Sequence, residues 1–306
     1  MRLLLSVAAT VILVAQPGVV REVAVTFDDL PASRLEGTPA ELDRLTRDLL
    51  AVVRQHGVPA VGFVNEGKLF AGTALQADRV TILRQWVEAG IELGNHTYSH
   101  ADLHRTTLDD FERDVLKGEK ITRDLAKVSG QRFRYFRHPY LHTGLSLQTK
   151  LAFETFLKQH GYTVAPVTID NYEYVFAAAF DRAAAADRPR IRAAYLDYMA
   201  SVVAYYEDQS RALLGRELRQ VLLLHANALN AQAFGDLAAQ LKGRGYRFIT
   251  LERALEDPAY ALEDTFTGSG GITWLHRWAL TQKKPSAFFA GEPVVPDWIS
   301  RAAGTQ

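Results

Sequence analysis

The chain has 306 residues, with 35 basic and 35 acidic side chains, a formal net charge of zero and no cysteine. The length allows one large domain or two small ones, with ample material for a core. The balanced charge argues against a nucleic-acid partner, which needs a basic surplus. The missing thiol excludes disulfides, thiolate zinc sites and cysteine nucleophiles, so any metal site must use histidine and carboxylate.

The first stretch, MRLLLSVAATVILVAQPGVV, sets Arg2 before an apolar run from Leu3 to Ala15. This is the pattern of a secretory signal peptide over residues 1–18, and it predicts a secreted or periplasmic chain. No membrane span is expected once the signal is removed. Short apolar runs then alternate with helix-like segments. VAVTF (23–27) reads as a strand, and Thr38 to His56 as a helix with Pro39 at its start. VPAVGFV (58–64) is a second strand, Ala74 to Ala89 a helix, and IELGNH (91–96) a third strand. Thr107 to Val128 reads as one long helix, RYFRHP (134–139) as a strand, and Leu147 to His160 as a helix. YTVAPVTID (162–170), RQVLLLHAN (219–227) and YRFITL (246–251) complete the strands. Such alternation implies an α/β fold of parallel strands with helical crossovers, and about seven units would close, or nearly close, a barrel. The barrel is expected over residues 19–264. It is interrupted over about 172–218 by an Ala-, Tyr- and Arg-rich helical insertion and followed by a tail, 265–306, that caps it.

In a parallel barrel the functional groups come from the carboxyl ends of the strands. Those ends carry Asp28 and Asp29, His96 followed by His100, Arg137 with Pro139 and Tyr140, Asp170, and His225. Packing requires no such set. A zinc-type ion takes histidine nitrogens and a carboxylate, which Asp29, His96 and His100 supply. Histidines four apart on a helical turn face the same way. Side chains alternate along a strand, so Asp28 and Asp29 point apart. One can bind metal while the other takes a proton from the attacking water, whose pKa a metal lowers.

The ordered series TFDD, HTYSH, RHPY, a lone Asp and LLLH resembles the polysaccharide deacetylase (NodB-homology, carbohydrate esterase family 4) family, over roughly residues 22–255. The resemblance implies a distorted (β/α) barrel that removes N-acetyl groups from a carbohydrate, an oligosaccharide or cell-envelope glycan, with a divalent metal, zinc being the expected ion. It assigns Asp28 as catalytic base, and Asp29, His96 and His100 as metal ligands. Arg137 would orient the base, and the backbone N–H at Tyr140 would stabilise the oxyanion. His225 would be the general acid, with Asp170 as its paired carboxylate. The family usually carries a tryptophan soon after that aspartate. Here Asn171, Tyr172, Glu173 and Tyr174 follow, and Tyr172 is the substitute substrate contact. This departure and the insertion favour a carbohydrate oligomer or other small N-acyl substrate over a long crystalline polymer. Two other functions compete: a metal-dependent amidase acting on a non-sugar linear or cyclic amide, and a catalytically inactive carbohydrate-binding protein. The intact set of ionisable strand ends counts against the second. The sequence specifies no oligomeric state.

The other histidines are read more plainly. His138 and His142 flank the third motif as partly exposed residues, and His104 is passed over as a ligand in favour of Asp29. His56, His160 and His276 are read as structural or exposed. Tyr195, Tyr198, Tyr205 and Tyr206 follow helical spacing and are expected in the core of the insertion. Trp274, Trp278 and Trp298 are expected to pin the tail.

Overall fold

The computed structural model describes residues 21–305, so the signal peptide expected over residues 1–18 lies outside the described residues. The elements run β1 (Arg21–Leu30), α1 (Pro39–Gln55), β2 (Val61–Val64), β3 (Phe70–Ala71), β4 (Ala74–Leu75) and α2 (Ala77–Glu88). Then come β5 (Glu92–Asn95), α3 (Leu108–Lys117), α4 (Lys120–Val128), β6 (Tyr135–Phe136), α5 (Leu147–Gln159) and β7 (Thr163–Val164). After these follow α6 (Glu173–Arg182), α7 (Arg188–Leu214), β8 (Gln220–His225), α8 (Ala228–Gly243), β9 (Tyr246–Phe248), α9 (Leu251–Leu255), α10 (Trp274–Thr281) and α11 (Asp297–Ala303). The main sheet is parallel, in the order β7-β6-β5-β2-β1-β8, with β9 beside the first residues of β1. It curls into a distorted barrel, as the sequence pattern implied.

The fifth expected strand, residues 162–170, is much shorter than its apolar run suggested. Only Thr163 and Val164 pair with β6, after which Pro166, lacking an N–H, interrupts the ladder. The segment then regains the sheet on the other side. Ile169 bridges Leu222 of β8, and the Thr168 and Ile169 N–H groups both donate to the Val221 carbonyl at 3.0 Å. An irregular strand thus closes the ring between β6 and β8.

Alternation along β1 builds two layers. Val23, Val25 and Phe27 face outward into the main core, where Phe27 meets Trp86 of α2 at 5.6 Å and Phe234 of α8 at 5.5 Å between ring centroids. Ala24 faces inward, with Val61, Phe63, Tyr135 and Val221, and α9 plugs this lower end with Leu251 and Ala254. Thr26 and then Asp28 continue the inward series. The barrel interior therefore passes from apolar at the bottom to ionisable at the carboxyl ends.

The long helix expected over Thr107–Val128 is two helices. Gly118 ends α3, and a Cβ there would lie 2.5 Å from the backbone of Thr97 and Tyr98, so the chain breaks to let the histidine loop approach. The Tyr98 N–H donates to the Asp114 carbonyl at 3.1 Å. Glu66, buried after β2, caps the start of α4, accepting from the Ile121 and Thr122 N–H groups at 3.0 Å each. His56 and His160 are the C-caps of α1 and α5. Residues 172–218 contribute α6 and α7 and no strand, and Tyr195, Tyr198, Tyr205 and Tyr206 are all buried.

Candidate active site

The bulge between Phe27 and Leu30 shapes the first motif. Asp29 takes φ +69, a left-handed conformation that re-aims its side chain. Alternation alone would separate the two carboxylates; the bulge instead brings both to His96 Nε2, Asp28 Oδ2 at 3.8 Å and Asp29 Oδ1 at 3.9 Å. His100 Nε2 lies 3.6 Å from the same Asp29 oxygen. The two histidines converge, but not on a helical turn as their spacing suggested. They sit in a loop with positive φ at Thr97 (+66) and His100 (+57). The loop is held by backbone and amide contacts: Asn95 accepts from the Thr97 N–H at 2.7 Å, and Asn65 donates to the His96 carbonyl at 2.5 Å.

This donor set fits a divalent metal. The ligand atoms of Asp29, His96 and His100 lie within 4.8 Å of one another. Asp29 Oδ1 is buried and has no hydrogen-bond partner among the described residues. His96 Nδ1 lies 2.8 Å from the Arg137 carbonyl, which fixes the ring and leaves Nε2 facing the carboxylates. Burial pushes both imidazoles below their ordinary value, and neutral imidazole is the ligating form. Burial alone would raise Asp29, but Lys68 and the surrounding histidines outweigh it and hold the carboxyl at about 2. Lys68 also ties down the loop after β1, donating to the carbonyls of Asp29 and Ala32 at 3.1 Å.

Asp28 is placed differently. Burial raises it to about 6, with Arg137 opposing the rise. Arg137, fully buried, reaches Asp28 Oδ2 at 3.4 Å and donates to Thr26 Oγ1 at 2.9 Å, and its guanidinium lies 4.7 Å from the Phe63 ring. Asp28 Oδ1 has no partner among the described residues. Tyr140 stands at the rim with φ +56, its ring edge-on to His100 at 4.5 Å.

The same cavity is lined by His225, at the end of β8 and in register with Asp28 on the neighbouring strand. The carboxylate bonded to it is not Asp170. Glu173, at the start of α6, places Oε2 2.8 Å from His225 Nδ1. Asp170 sits in the cavity wall and accepts from the Asn171 N–H at 2.8 Å, while burial raises it to about 6. The helical start at Glu173 turns this later acid, rather than the strand-end acid, onto the imidazole. Asn227 and Asn230 also donate to Glu173, and Asn230 donates to the His225 carbonyl at 2.8 Å. Burial opposes the imidazolium, but the Glu173 carboxylate with Asp29 and Asp28 raises His225 to about 9. Glu173, Asn227 and Asn230 were missed from sequence. The signal for the two asparagines was HANALN itself, unusually polar beside an apolar strand.

His138 is buried rather than partly exposed, and His276 is buried against the Tyr205 hydroxyl at 3.1 Å. His104 stacks on His142 at 3.8 Å, and His142 Nδ1 lies 2.7 Å from Asp102, so this pair stands apart from the Asp29 group.

Residues 16–165 match the family model described as polysaccharide deacetylase. A peptidoglycan-N-acetylglucosamine deacetylase of Bacillus cereus is 26% identical over 231 residues, which is 75% of this chain and 66% of that protein. A chitooligosaccharide deacetylase of Sinorhizobium fredii is 33% identical over 118 residues, 39% of this chain and 46% of that one. The chain thus spans two thirds or less of these relatives' length. Among solved structures, a mutant of a CE4 family pseudoenzyme from Bacillus anthracis superposes with a TM-score of 0.50 at 16% identity, over 78% of this chain and 68% of that one, a likeness of fold. The matched stretch holds the first three motifs, on a barrel of the same fold, so residues 16–165 form a domain of the polysaccharide deacetylase family.

Proposed function

We propose that this chain is a metal-dependent hydrolase that removes N-acetyl groups from a carbohydrate, with zinc the expected ion. The observation that carries the reading is the convergence of three kinds of group on one cavity. A carboxylate–imidazole triad (Asp29, His96, His100) stands with a raised acid, Asp28. On the neighbouring strand, in register with Asp28, stands a histidine held protonated by Glu173. Amide hydrolysis needs those complementary groups.

Asp29, His96 and His100 would hold the ion, which when bound polarises the amide carbonyl and acidifies the attacking water. Asp28 accepts the proton of that water as its oxygen adds to the carbonyl carbon. Arg137 fixes the carboxylate through one guanidinium nitrogen and its charge keeps it ionised at neutral pH. The backbone N–H at Tyr140 stabilises the developing oxyanion. His225 gives its proton to the nitrogen as the C–N bond breaks, leaving acetate and a free amine. Glu173 holds Nδ1, so the ring's other nitrogen is the one free to act. The expected export of the chain rests on residues 1–18 and is part of the same reading, since an envelope glycan is reached from outside the cytoplasm.

The test is metal content beside acetate release from N-acetylglucosamine oligomers, before and after chelation. About one ion per chain, with release lost on chelation and restored by zinc, is the expected outcome. Acetate release that survives complete removal of metal would sink the proposal.

A further inference from the structure

The candidate catalytic groups line a cavity of about 760 Å3, much of whose wall is not barrel. The inserted helix α6 contributes Tyr174, Ala177 and Asp181, and the tail contributes Ile272, Glu292 and Gly304. Both parts are fastened. Arg182 of α6 donates to the Ala303 carbonyl at the end of α11. Gln209 of α7 donates to the Phe288 carbonyl at 2.8 Å, and the Tyr206 hydroxyl donates to Glu292 at 3.2 Å. On the barrel side the Trp274 N–H donates to the Val167 carbonyl at 2.8 Å, and Arg277 donates to the Leu141 carbonyl at 2.5 Å. Gly271 lies so close to Tyr140 that a Cβ would fall 1.9 Å from its carbonyl oxygen. The tail therefore rests directly on the rim of the candidate site and joins the insertion beyond it.

A groove that takes the middle of a glycan must be open at both ends. Here one side is walled by helix and tail, and the volume is that of a pocket enclosing a drug-sized molecule. Glu292 is the one carboxylate among the described tail residues that line it. Tyr206 is its one hydrogen-bond partner among the described side chains, and this leaves the second carboxylate oxygen able to accept from a sugar hydroxyl.

We propose that the insertion and the C-terminal tail close one end of the site, so that it takes the terminal residue of a short N-acyl sugar and Glu292 binds that residue's hydroxyls. This inference rests on the deacetylase reading and narrows its substrate to short chains and chain ends.

The experiment measures kcat/KM on N-acetylglucosamine oligomers of increasing length, with mass spectrometry of which residue loses acetate. A companion measurement uses calorimetry of the same oligomers on the zinc-loaded Asp28→Asn chain. The expected result is an affinity and kcat/KM that stop rising after about two sugars, with acetate lost only from a terminal residue. Glu292→Ala should raise KM about tenfold with kcat retained, and Glu292→Gln should restore part of the loss. Acetate loss from internal residues, or gains that continue with each added sugar, would overturn the closed end and leave the deacetylase reading intact. An unchanged KM in both Glu292 variants would overturn its role. Neither binding nor acetate release with any oligomer would overturn both readings.

Discussion

The floor of the cavity and its wall are built by opposite rules. The floor is made of buried ionisable groups, with an oxygen on each of Asp28 and Asp29 that lacks a hydrogen-bond partner among the described residues, and left-handed backbone at Asp29, Thr97, His100 and Tyr140. Each such conformation costs about 1–3 kcal/mol and persists only where the surroundings enforce it. The wall is ordinary core. Phe176 packs on Tyr198 at 5.0 Å and Tyr195 at 5.8 Å, and the hydroxyls of Tyr195, Tyr205 and Tyr206 all find partners. The floor is organised for chemistry at a cost in stability, and the wall supplies stability and shape. One residue crosses the division: Glu173 belongs to the inserted helix yet holds the candidate acid His225.

The comparison breaks if floor substitutions cost stability, or if wall substitutions cost chemistry. The largest effect is expected at Asp28. Asp28→Asn should lower kcat by about 10²–10⁴ while metal content and the fold are kept, the amide oxygen still accepting from Arg137. Retained turnover in a metal-loaded variant would exclude Asp28 as base. Next is the pH profile. A group whose pKa is raised to about 9 acts as an acid below that value and is lost as pH rises through it, so activity should fall on the alkaline side near there. Glu173→Gln removes the charge that raises His225, so the alkaline limb should move to lower pH; an unmoved limb would detach His225 from the acid role. Third, Phe176→Ala should destabilise by about 3–5 kcal/mol in urea unfolding. Its remaining folded fraction should keep kcat, unless loosening α6 also displaces Glu173.

The floor was legible because its residues stand at the ends of apolar runs, where a parallel barrel must place its reactive groups. Asp28, Asp29, His96, His100, Arg137 and His225 all come to one cavity or to its supporting arginine. What the sequence misled on was local geometry. A four-residue spacing suggests a helical turn, but Gly118 and Asn95 hold His96 and His100 in a loop instead. Strand alternation separates Asp28 from Asp29, and only the bulge reunites them. The resemblance pairs Asp170 with His225, whereas the contact is made by the first residue of a helix whose exact start no periodicity fixes. The insertion was legible as helix and as a bound on substrate size, but the joining of insertion and tail was not. Its contacts join residues as far apart as Arg182 and Ala303, and no short pattern records such a pairing.

The smallest effect is expected at the mouth, and it tests the division most closely. Tyr172 and Tyr174 line the cavity, the residues 47% and 54% exposed and their rings 6.0 Å apart and tilted by 55°. Exposed aromatic faces of this kind offer apolar contact to a sugar ring at about 0.5–1.5 kcal/mol each, or roughly 2–10-fold in KM. The fold should not notice their loss. The link from Tyr172 to the insertion is its backbone N–H, donated to the Tyr198 hydroxyl at 3.1 Å, which Tyr172→Ala keeps. The double substitution Tyr172→Ala, Tyr174→Ala should therefore raise KM for acetylated sugars several-fold, with kcat, metal content and melting temperature unchanged. A fall in kcat instead would mean that these rings position the reacting amide, and that the wall takes part in the chemistry it otherwise only encloses.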